Sequence, residues 1–407
     1  MTFKIFFRKN FTVSILILLS LAAVINNFFR FFENKTLYQF VPWLSNYQGG
    51  FTRRGLPGEI FFQIHDLFNI HLGWIVFLFV CSLYLIFYFT FFYLIKKIQL
   101  EKLLILAIFS PIALYFPVLN SKATGHKEII FLCLLALFCC LVPKIKKNYA
   151  NILMILITSL AVLSHDGLIF YLTYLVIPFV IFFKFENYKE LFLDLLPITF
   201  ITMLLAFIIY IFKGTEQHVN AICDSVKLFV DPGCSEAGQI AFLKHSIEYN
   251  ILSRGAAEIE GNLVFQEYFR IYGLGFIIGF FPLIILYGKS KLVLPIVSKK
   301  IHSQFILFFP LIMSAPIYYM AADWGRYLYI SYISSLIILI FGLSNEIFAK
   351  EKSKNENNES MIKKILFSLI IFVYCLGWTV PICCEKNFKS GIYDFFKRTA
   401  YYMEMKN

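Results

Sequence analysis

Charged residues are scarce in this chain. Of its 407 residues only 15% are charged, whereas 59% are hydrophobic and 19% are aromatic. Because a soluble domain needs more polar surface than this composition supplies, the sequence predicts a polytopic membrane protein. The net charge of +12 does not indicate nucleic acid, since the lysines lie mostly in short loops between apolar runs. The expected partner is a membrane surface with anionic lipid head groups.

Sequence motifs for nucleotide, metal and nucleophilic chemistry are also missing. There is no Gly-x-x-x-x-Gly-Lys-Ser/Thr sequence and no Gly-x-Gly-x-x-Gly that opens a helix, so nothing supports an ATP-driven or dinucleotide-dependent function. No set of His, Asp and Glu residues has the spacing of a zinc or magnesium site. Neither Gly-x-Ser-x-Gly nor adjacent Cys and His occurs. We therefore expect no metal and no cofactor.

The chain is rich in long apolar runs. Those that approach the length of a membrane-spanning helix lie at residues 11–29, 73–95, 103–119, 129–143, 151–164, 168–183, 194–212, 270–287, 304–320, 327–344 and 365–382. The predicted fold is all-α, a single integral membrane domain over residues 1–407 with about 11 transmembrane helices.

Lysines next to the span ends indicate the orientation. With the N-terminus inside, every loop on that side is lysine-rich. The outer side then holds the first loop, 30–72, and the largest loop, 213–269, while residues 345–364 form a flexible inner linker. The basic N-terminal segment shows no small-residue cleavage site, so we predict a retained first span.

Two cysteines differ from the rest. Cys223 and Cys234 share the largest polar loop and are plausible disulfide partners if that loop faces an oxidising compartment. The cysteines inside apolar runs are expected to be inert buried thiols.

Four short polar clusters interrupt the apolar sequence. An ionisable side chain costs roughly 2.5 to 3.5 kcal/mol at the centre of a bilayer, so such residues persist where a cavity or a task holds them. With the predicted topology all four clusters open onto the outer side, which predicts one composite, cationic site there. The clusters are Tyr47–Gly58, Gly125–Glu128, Ser164–Gly167 and Asp323–Arg326.

The first cluster combines Arg53 and Arg54 with several glycines and a proline. Arginine binds phosphate oxygens through a planar fork, and glycine lets the backbone approach a ligand closely. This combination is typical of a pyrophosphate cradle, although contact of both arginines with lipid head groups would explain it too.

The second and third clusters supply groups for proton transfer. His126 and Lys127 can hold an anion beside Glu128, or they can simply cap a helix at the membrane interface. His165 and Asp166 suit proton exchange with a hydroxyl, although a histidine at this place can also be structural.

The remaining candidates are less specific. Asp323 and Arg326 can pair on one helical turn, or Arg326 can bind a phosphate and Trp324 a sugar ring or prenyl chain. Arg254 and Arg270 lie in and beside the largest outer loop, whose length suits either a lid or a solvated cap.

The spans, the arginine-rich outer face, the long outer loop and the Phe/Ile/Lys-rich composition together resemble the O-antigen and capsular polysaccharide polymerases of bacterial inner membranes. The likeness covers most of the chain as architecture rather than as motif. The arginine and glycine pattern of that family's two large outer loops is not reproduced, since Gly273 follows Arg254 at a longer spacing.

This resemblance implies that polyprenyl-pyrophosphate-linked repeat units are joined at the periplasmic face of the inner membrane, with a cytoplasmic N-terminus and a chain-length regulator as a further partner. Arg53, Arg54 and Arg326 would bind the pyrophosphate, assisted by His126 or Lys127, and His165 or Asp166 would act as the base. The whole candidate set consists of catalytic His165, Asp166 and Asp323, and substrate-binding Arg53, Arg54, His126, Lys127, Arg326, Arg254 and Arg270.

Two other functions remain open. A multispan glycosyltransferase with a polyprenyl-phosphate sugar donor usually carries acidic residues early in the first outer loop, where this chain offers Glu33, Glu59 and Asp66. A lipid-glycan transporter or flippase is typically built from internal repeats and broken helices, and the sequence shows no such repeat.

Overall fold

A computed structural model describes residues 10–230, 234–236, 238–246, 248–249, 265–292, 301–350, 361–385 and 387–393. The α-helices of these ranges are α1 Phe11–Glu33, α2 Leu56–Phe68, α3 Leu72–Ile95, α4 Lys102–Ile108, α5 Phe116–Leu119, α6 Glu128–Leu141, α7 Lys147–Ser164, α8 Leu172–Phe183, α9 Tyr188–Ile211, α10 Glu216–Ser225, α11 Gly238–Ala241, α12 Phe265–Gly288, α13 Gln304–Ser314, α14 Pro316–Met320, α15 Trp324–Ser344 and α16 Met361–Leu376. The short strands are β1 Ser290–Leu292, β2 Ile301–His302 and β3 Ala349–Lys350, and a 3₁₀ segment, Asp166–Tyr171, joins α7 to α8.

The helical membrane class is confirmed, but the predicted number of spans is not. Within the described residues, 7 helices are long and apolar enough to cross a membrane, namely α1, α3, α7, α8 with its 3₁₀ segment, α9, α12 and α15. The other predicted runs fold into shorter or broken helices. These runs are 103–119, 129–143, 304–320 and 365–382.

Prolines explain two of the breaks. Pro111 follows the end of α4, and Pro316 begins α14 directly after α13; proline lacks the N–H that a continuing helix needs. Thr379 Oγ1 donates to the Pro111 carbonyl at 3.1 Å, and Asn120 Nδ2 donates to the Val380 carbonyl at 3.4 Å. Such bonds allow irregular backbone to persist inside a helical bundle.

Helix α15 forms the centre of the bundle. Each of its residues from Gly325 to Gly342 is buried, and it packs against α3, α6, α8, α12 and α13. Its serines are small enough for close approach of neighbouring helices, and the Tyr287 hydroxyl donates to the Ser335 carbonyl at 2.7 Å. Helix α9 is the least buried of the candidate spans, as expected for a helix that faces lipid.

A small antiparallel sheet joins two loops at the end of the bundle opposite the start of α15. Strand β1 pairs with β2 and with β3. The all-α prediction missed this sheet, because strands of two or three residues leave no alternating pattern in the sequence. Strand β3 lies within the predicted linker 345–364, so that segment is paired at its beginning, whereas residues 351–360 lie outside the described residues.

Candidate functional site

The four polar clusters lie together at one end of the bundle. They come from the turn before α2, the start of α6, the junction of α7 with the 3₁₀ segment, and the start of α15. An unbroken series of short contacts joins Arg54, Asp166, His165, Glu128 and Arg326. The convergence predicted from the sequence is therefore present.

Asp166 holds the arginine pair of the first cluster. Its Oδ1 accepts hydrogen bonds from Arg54 Nε at 2.7 Å and from the Gly167 N–H at 2.9 Å. Its Oδ2 lies 3.6 Å from Arg53 Nη1. Because both oxygens face groups of the protein, Asp166 is suited to positioning the guanidiniums rather than to accepting a substrate proton.

Glu128 forms a second centre. Its Oε1 lies 3.1 Å from Arg326 Nε and 3.6 Å from His165 Nε2. Arg326 also pairs with Asp323 at 3.0 Å between Nη2 and Oδ2, and its Nη1 lies 3.1 Å from His126 Nδ1. The pairing of Asp323 with Arg326 on one helical turn, left open by the sequence, therefore occurs and leaves Arg326 between two carboxylates.

The site is nearly charge-balanced, because three carboxylates lie among the cationic side chains that the sequence predicted there. Burial explains the balance, because a cation removed from water needs an anion close by. Arg54 is the most exposed of its arginines, with 24% of the side chain accessible, whereas Arg53 keeps 3% and Arg326 keeps 6%. An incoming anion would therefore meet Arg54 first. The cationic side chains are Arg53, Arg54, Lys127 and Arg326, and the carboxylates are Glu128, Asp166 and Asp323.

Lys127 ties the second cluster to the first. Its buried Nζ donates to the Arg54 carbonyl at 2.6 Å. Burial, together with the nearby Arg54 guanidinium, lowers the pKa of Lys127 to about 7. This amine is therefore partly neutral near pH 7 and contributes less positive charge than a surface lysine would.

His165 separates the two centres and is held in one tautomer. Its Nδ1 accepts the Gly167 N–H at 3.2 Å, which assigns the ring proton to Nε2, the atom that faces Glu128. Burial, and then the charge of Arg54, lower the pKa of His165 to about 3. The ring is therefore neutral at pH 7, and its Nδ1 lone pair is engaged by the Gly167 N–H.

Glu128 is a buried carboxylate of this site that the sequence analysis did not include among the catalytic candidates. Its Oε1 is ion-paired with Arg326, whereas its Oε2 has no side-chain partner among the described residues. It borders a narrow pocket whose lining includes Tyr84, His126, Arg326 and Tyr329. The lone pairs of Oε2 are therefore the ones that a hydroxyl could meet. In the sequence, the position of Glu128 directly after His126 and Lys127 is the feature that could have identified it.

Two glycines of the first cluster, Gly49 and Gly58, pack tightly against other segments of the protein. A Cβ at Gly58 would collide with the Ser45 carbonyl oxygen, and one at Gly49 would lie 2.7 Å from His218 Cα in α10. These glycines therefore let neighbouring segments close around the arginine turn. The pyrophosphate cradle expected from this cluster stays a prediction.

The described part of the largest loop covers this turn. Arg53 Nη2 donates to the carbonyls of Phe242 and His245, each at 3.2 Å, and α10 packs on the glycines. A disulfide joins Cys223 to Cys234, as the sequence suggested for an oxidising compartment. The loop is thus placed over the site, as a lid would be, rather than extended into solvent.

Arg54 has an unusual backbone. Its φ is +67°, a left-handed conformation that costs a residue with a Cβ about 1 to 3 kcal/mol. The Asp166 bond to its side chain and the Lys127 bond to its carbonyl hold it in place. Such a conformation fixes the direction of the guanidinium at some cost in stability.

The other sequence candidates lie outside this network. Trp324 Nε1 donates to the Tyr318 carbonyl at 2.6 Å, and its ring packs 5.0 Å from that of Tyr268, so the indole is engaged within the protein. Arg270 is exposed on α12, and Arg254 lies outside the described residues.

Comparison with known proteins adds no assignment. No protein-family model, no curated protein and no solved structure matches the chain. In the described ranges, no group of three or more His, Cys, Asp or Glu residues is arranged to hold a metal ion. The resemblance to polysaccharide polymerases therefore stays a prediction from the sequence.

Proposed function

We propose that this chain joins polyprenyl-pyrophosphate-linked oligosaccharide repeat units into O-antigen or capsular polysaccharide. The observation that supports it is a series of contacts through Asp166 and His165 that links a partly exposed guanidinium, Arg54, to a buried carboxylate, Glu128, whose Oε2 has no side-chain partner among the described residues. Both lie at one end of an apolar helical bundle. A lipid-bound pyrophosphate leaving group and a hydroxyl nucleophile call for these two kinds of group.

Arg54 is the group for the leaving pyrophosphate. Its bond to Asp166 uses Nε, which leaves the terminal amino groups to meet phosphate oxygens. A fixed cation where negative charge develops lowers the barrier to transfer without further reorganisation. Asp166 and Arg53 then act as the support that orients Arg54.

Glu128 is the group for the acceptor hydroxyl. The hydroxyl oxygen forms a bond to the anomeric carbon and gives its proton to Glu128. The bond from this carbon to the pyrophosphate oxygen breaks, and its electron pair leaves with the lipid pyrophosphate beside Arg54. His165 spaces the two groups, while Arg326 positions Glu128 and is itself held by Asp323.

The outer, periplasmic side of a bacterial inner membrane is the proposed location of this site. The disulfide of Cys223 with Cys234 suits an oxidising compartment, and the lysine-rich loops suit the opposite side. We propose about 11 passes, in which the short or broken helices α4 to α6, α13 with α14, and α16 also cross.

Labelling of one native cysteine tests this orientation. Cys384 is exposed and follows Ile382, whose carbonyl accepts the Gly325 N–H at 3.0 Å, so it marks the site end. A membrane-impermeant maleimide should label Cys384 in spheroplasts. A Tyr149→Cys variant in a Cys384→Ser background, at the exposed opposite end of α7, should react only after lysis. The reverse pattern would place the site in the cytoplasm.

A single-sugar transferase that uses a polyprenyl-phosphate donor is the second candidate. In the sequence, the acidic residues that the first outer loop offers for it are Glu33, Glu59 and Asp66. The structure supplies the carboxylates from other segments, since Glu128, Asp166 and Asp323 lie in the same cluster as Arg54. This observation favours retaining the single-sugar transferase as a second candidate function.

Feeding two donors to the purified chain separates the two functions. With lipid-pyrophosphate repeat units from the same cells, a polymerase should give a ladder of products that differ by one repeat. With a polyprenyl-phosphate monosaccharide, the ladder should be absent. Addition of one sugar from the second donor, with no ladder from the first, would reject the polymerase in favour of the transferase.

A further inference from the structure

A second cavity lies apart from the charged network, between the end of α1, the start of α3 and the described part of the loop 213–269. Its volume is about 340 Å³, which falls within the usual range for small-molecule sites. Its lining includes Phe32, Glu33, Lys35, His71, Trp74 and Phe229.

Aromatic rings form the wall of this cavity. The Phe32 ring lies 4.9 Å from that of Trp74 and 5.5 Å from that of Phe40. The His71 ring meets the Phe229 ring edge-on at 4.8 Å. Trp74 is 46% exposed although it is a large apolar side chain. The wall therefore offers flat apolar faces to an occupant.

Polar groups line the same cavity. Glu33 can only accept hydrogen bonds when ionised, Lys35 can only donate them, and His71 can do either. Among the described residues, the side chains of Glu33 and Lys35 form no ion pair with each other or with a neighbour. A cavity that joins apolar faces to both donors and acceptors suits a ligand with the same two-sided character.

The aromatic wall continues to the charged site. The Phe77 ring lies 5.3 Å from Phe32 and 6.1 Å from Phe28. Phe28 packs against Gly125, where a Cβ would collide with its ring, and Gly125 directly precedes His126. Two successive aromatic rings, Phe77 and Phe28, thus lie between the cavity wall and the cluster that contains Glu128.

We propose that this cavity binds one pyranose ring of a glycan, with the C–H face of the sugar on Trp74 and Phe32 and its hydroxyls on Glu33, Lys35 and His71. A phosphate-bearing lipid head group fits less well, because Glu33 would repel the phosphate that Lys35 attracts. That this pyranose ring belongs to the substrate rests on the proposed function, whereas the binding of a sugar in the cavity is independent of it.

Saturation-transfer NMR on the full chain in phosphatidylglycerol nanodiscs tests the proposal. The probes are trisaccharides of glucose, mannose and N-acetylglucosamine. At least one trisaccharide should show a saturation-transfer signal on its ring C–H protons. This signal should fall about three- to tenfold in Trp74→Ala, because that variant loses one aromatic contact. Glu33→Gln should also weaken the signal, whereas Phe207→Ala, which removes an exposed aromatic side chain on α9, should not.

Control variants and folding measurements distinguish the possible outcomes. Trp74→Phe should retain most of the signal, and gel filtration with thermal melting should show that each variant is folded. If no probe gives a Trp74-dependent signal, the proposal is wrong. It is also wrong if the Trp74-dependent signal appears only on head-group protons after phosphatidylethanolamine is added. If the unaltered chain binds a sugar in a Trp74-dependent way but catalyses no glycosyl transfer, the proposed function is wrong and the sugar site is retained.

Discussion

Glu128→Gln should lower the rate of glycosyl transfer by about 10²- to 10⁴-fold, the usual contribution of a positioned proton acceptor. The substitution keeps the size of the side chain and removes the charge that accepts the proton. Arg326 still has Asp323 at 3.0 Å, so the pocket keeps one ion pair. The measurement is the initial rate of ladder formation from purified lipid-linked repeat units, with protein amount and melting temperature recorded for each variant.

A matched carboxylate at the other end of the bundle provides the control. Asp194 lies on α9, with its Oδ2 2.6 Å from Lys147 Nζ. Asp194→Asn should leave the transfer rate within about twofold, since a partly exposed ion pair contributes little and lies far from the site. If Glu128→Gln kept a normal rate while folded, Glu128 would not be the base, and Asp166 would become the next residue to test.

Arg54→Ala should reduce transfer by about 10²- to 10³-fold, the range found when one preorganised charge-stabilising donor is removed. The reason is loss of the most exposed guanidinium in the site. Alanine carries a Cβ as arginine does, so the left-handed backbone at this position is equally costly in both. The change in rate therefore reports the side chain rather than relief of backbone strain.

Arg54→Gly adds a second measurement of the same residue. Glycine adopts a φ of +67° without the steric penalty, so this variant should melt higher than Arg54→Ala and be equally inactive. Lys147→Ala, which removes a cation paired with Glu190 and Asp194, should remain active. Long polysaccharide from folded Arg54→Ala at normal protein level would exclude Arg54 from the pyrophosphate site.

The members of the site were largely visible in the sequence, but their partners were not. His165 and Asp166 stood out because they interrupt apolar runs, and Arg53 and Arg54 because they are adjacent. The bond between Arg54 and Asp166 joins residues 112 positions apart, and no local pattern encodes such a pairing. The same limit applies to the glycines, whose neighbours come from α10 and from the backbone of Ser45.

The described residues hold fewer long continuous helices than the sequence has apolar runs, for a related reason. Apolar length alone suggested a continuous span over residues 103–119, whereas α4 ends at Ile108. The freed Pro111 carbonyl is satisfied by Thr379, a partner that the sequence of this run does not reveal. Broken helices are tolerated where neighbours satisfy the backbone, and that depends on packing.

By itself the sequence determined that this chain forms apolar helices for a membrane and that its few ionisable residues outside the loops are concentrated in four clusters. Hydrocarbon imposes both, since it penalises unpaired backbone and isolated charge wherever they occur along the chain. Only the tertiary structure decided that Asp166 holds the arginines, that His165 is buried between two carboxylates and that Glu128 is paired with Arg326. Those properties depend on distances and burial between segments far apart in the chain, which residue order does not specify.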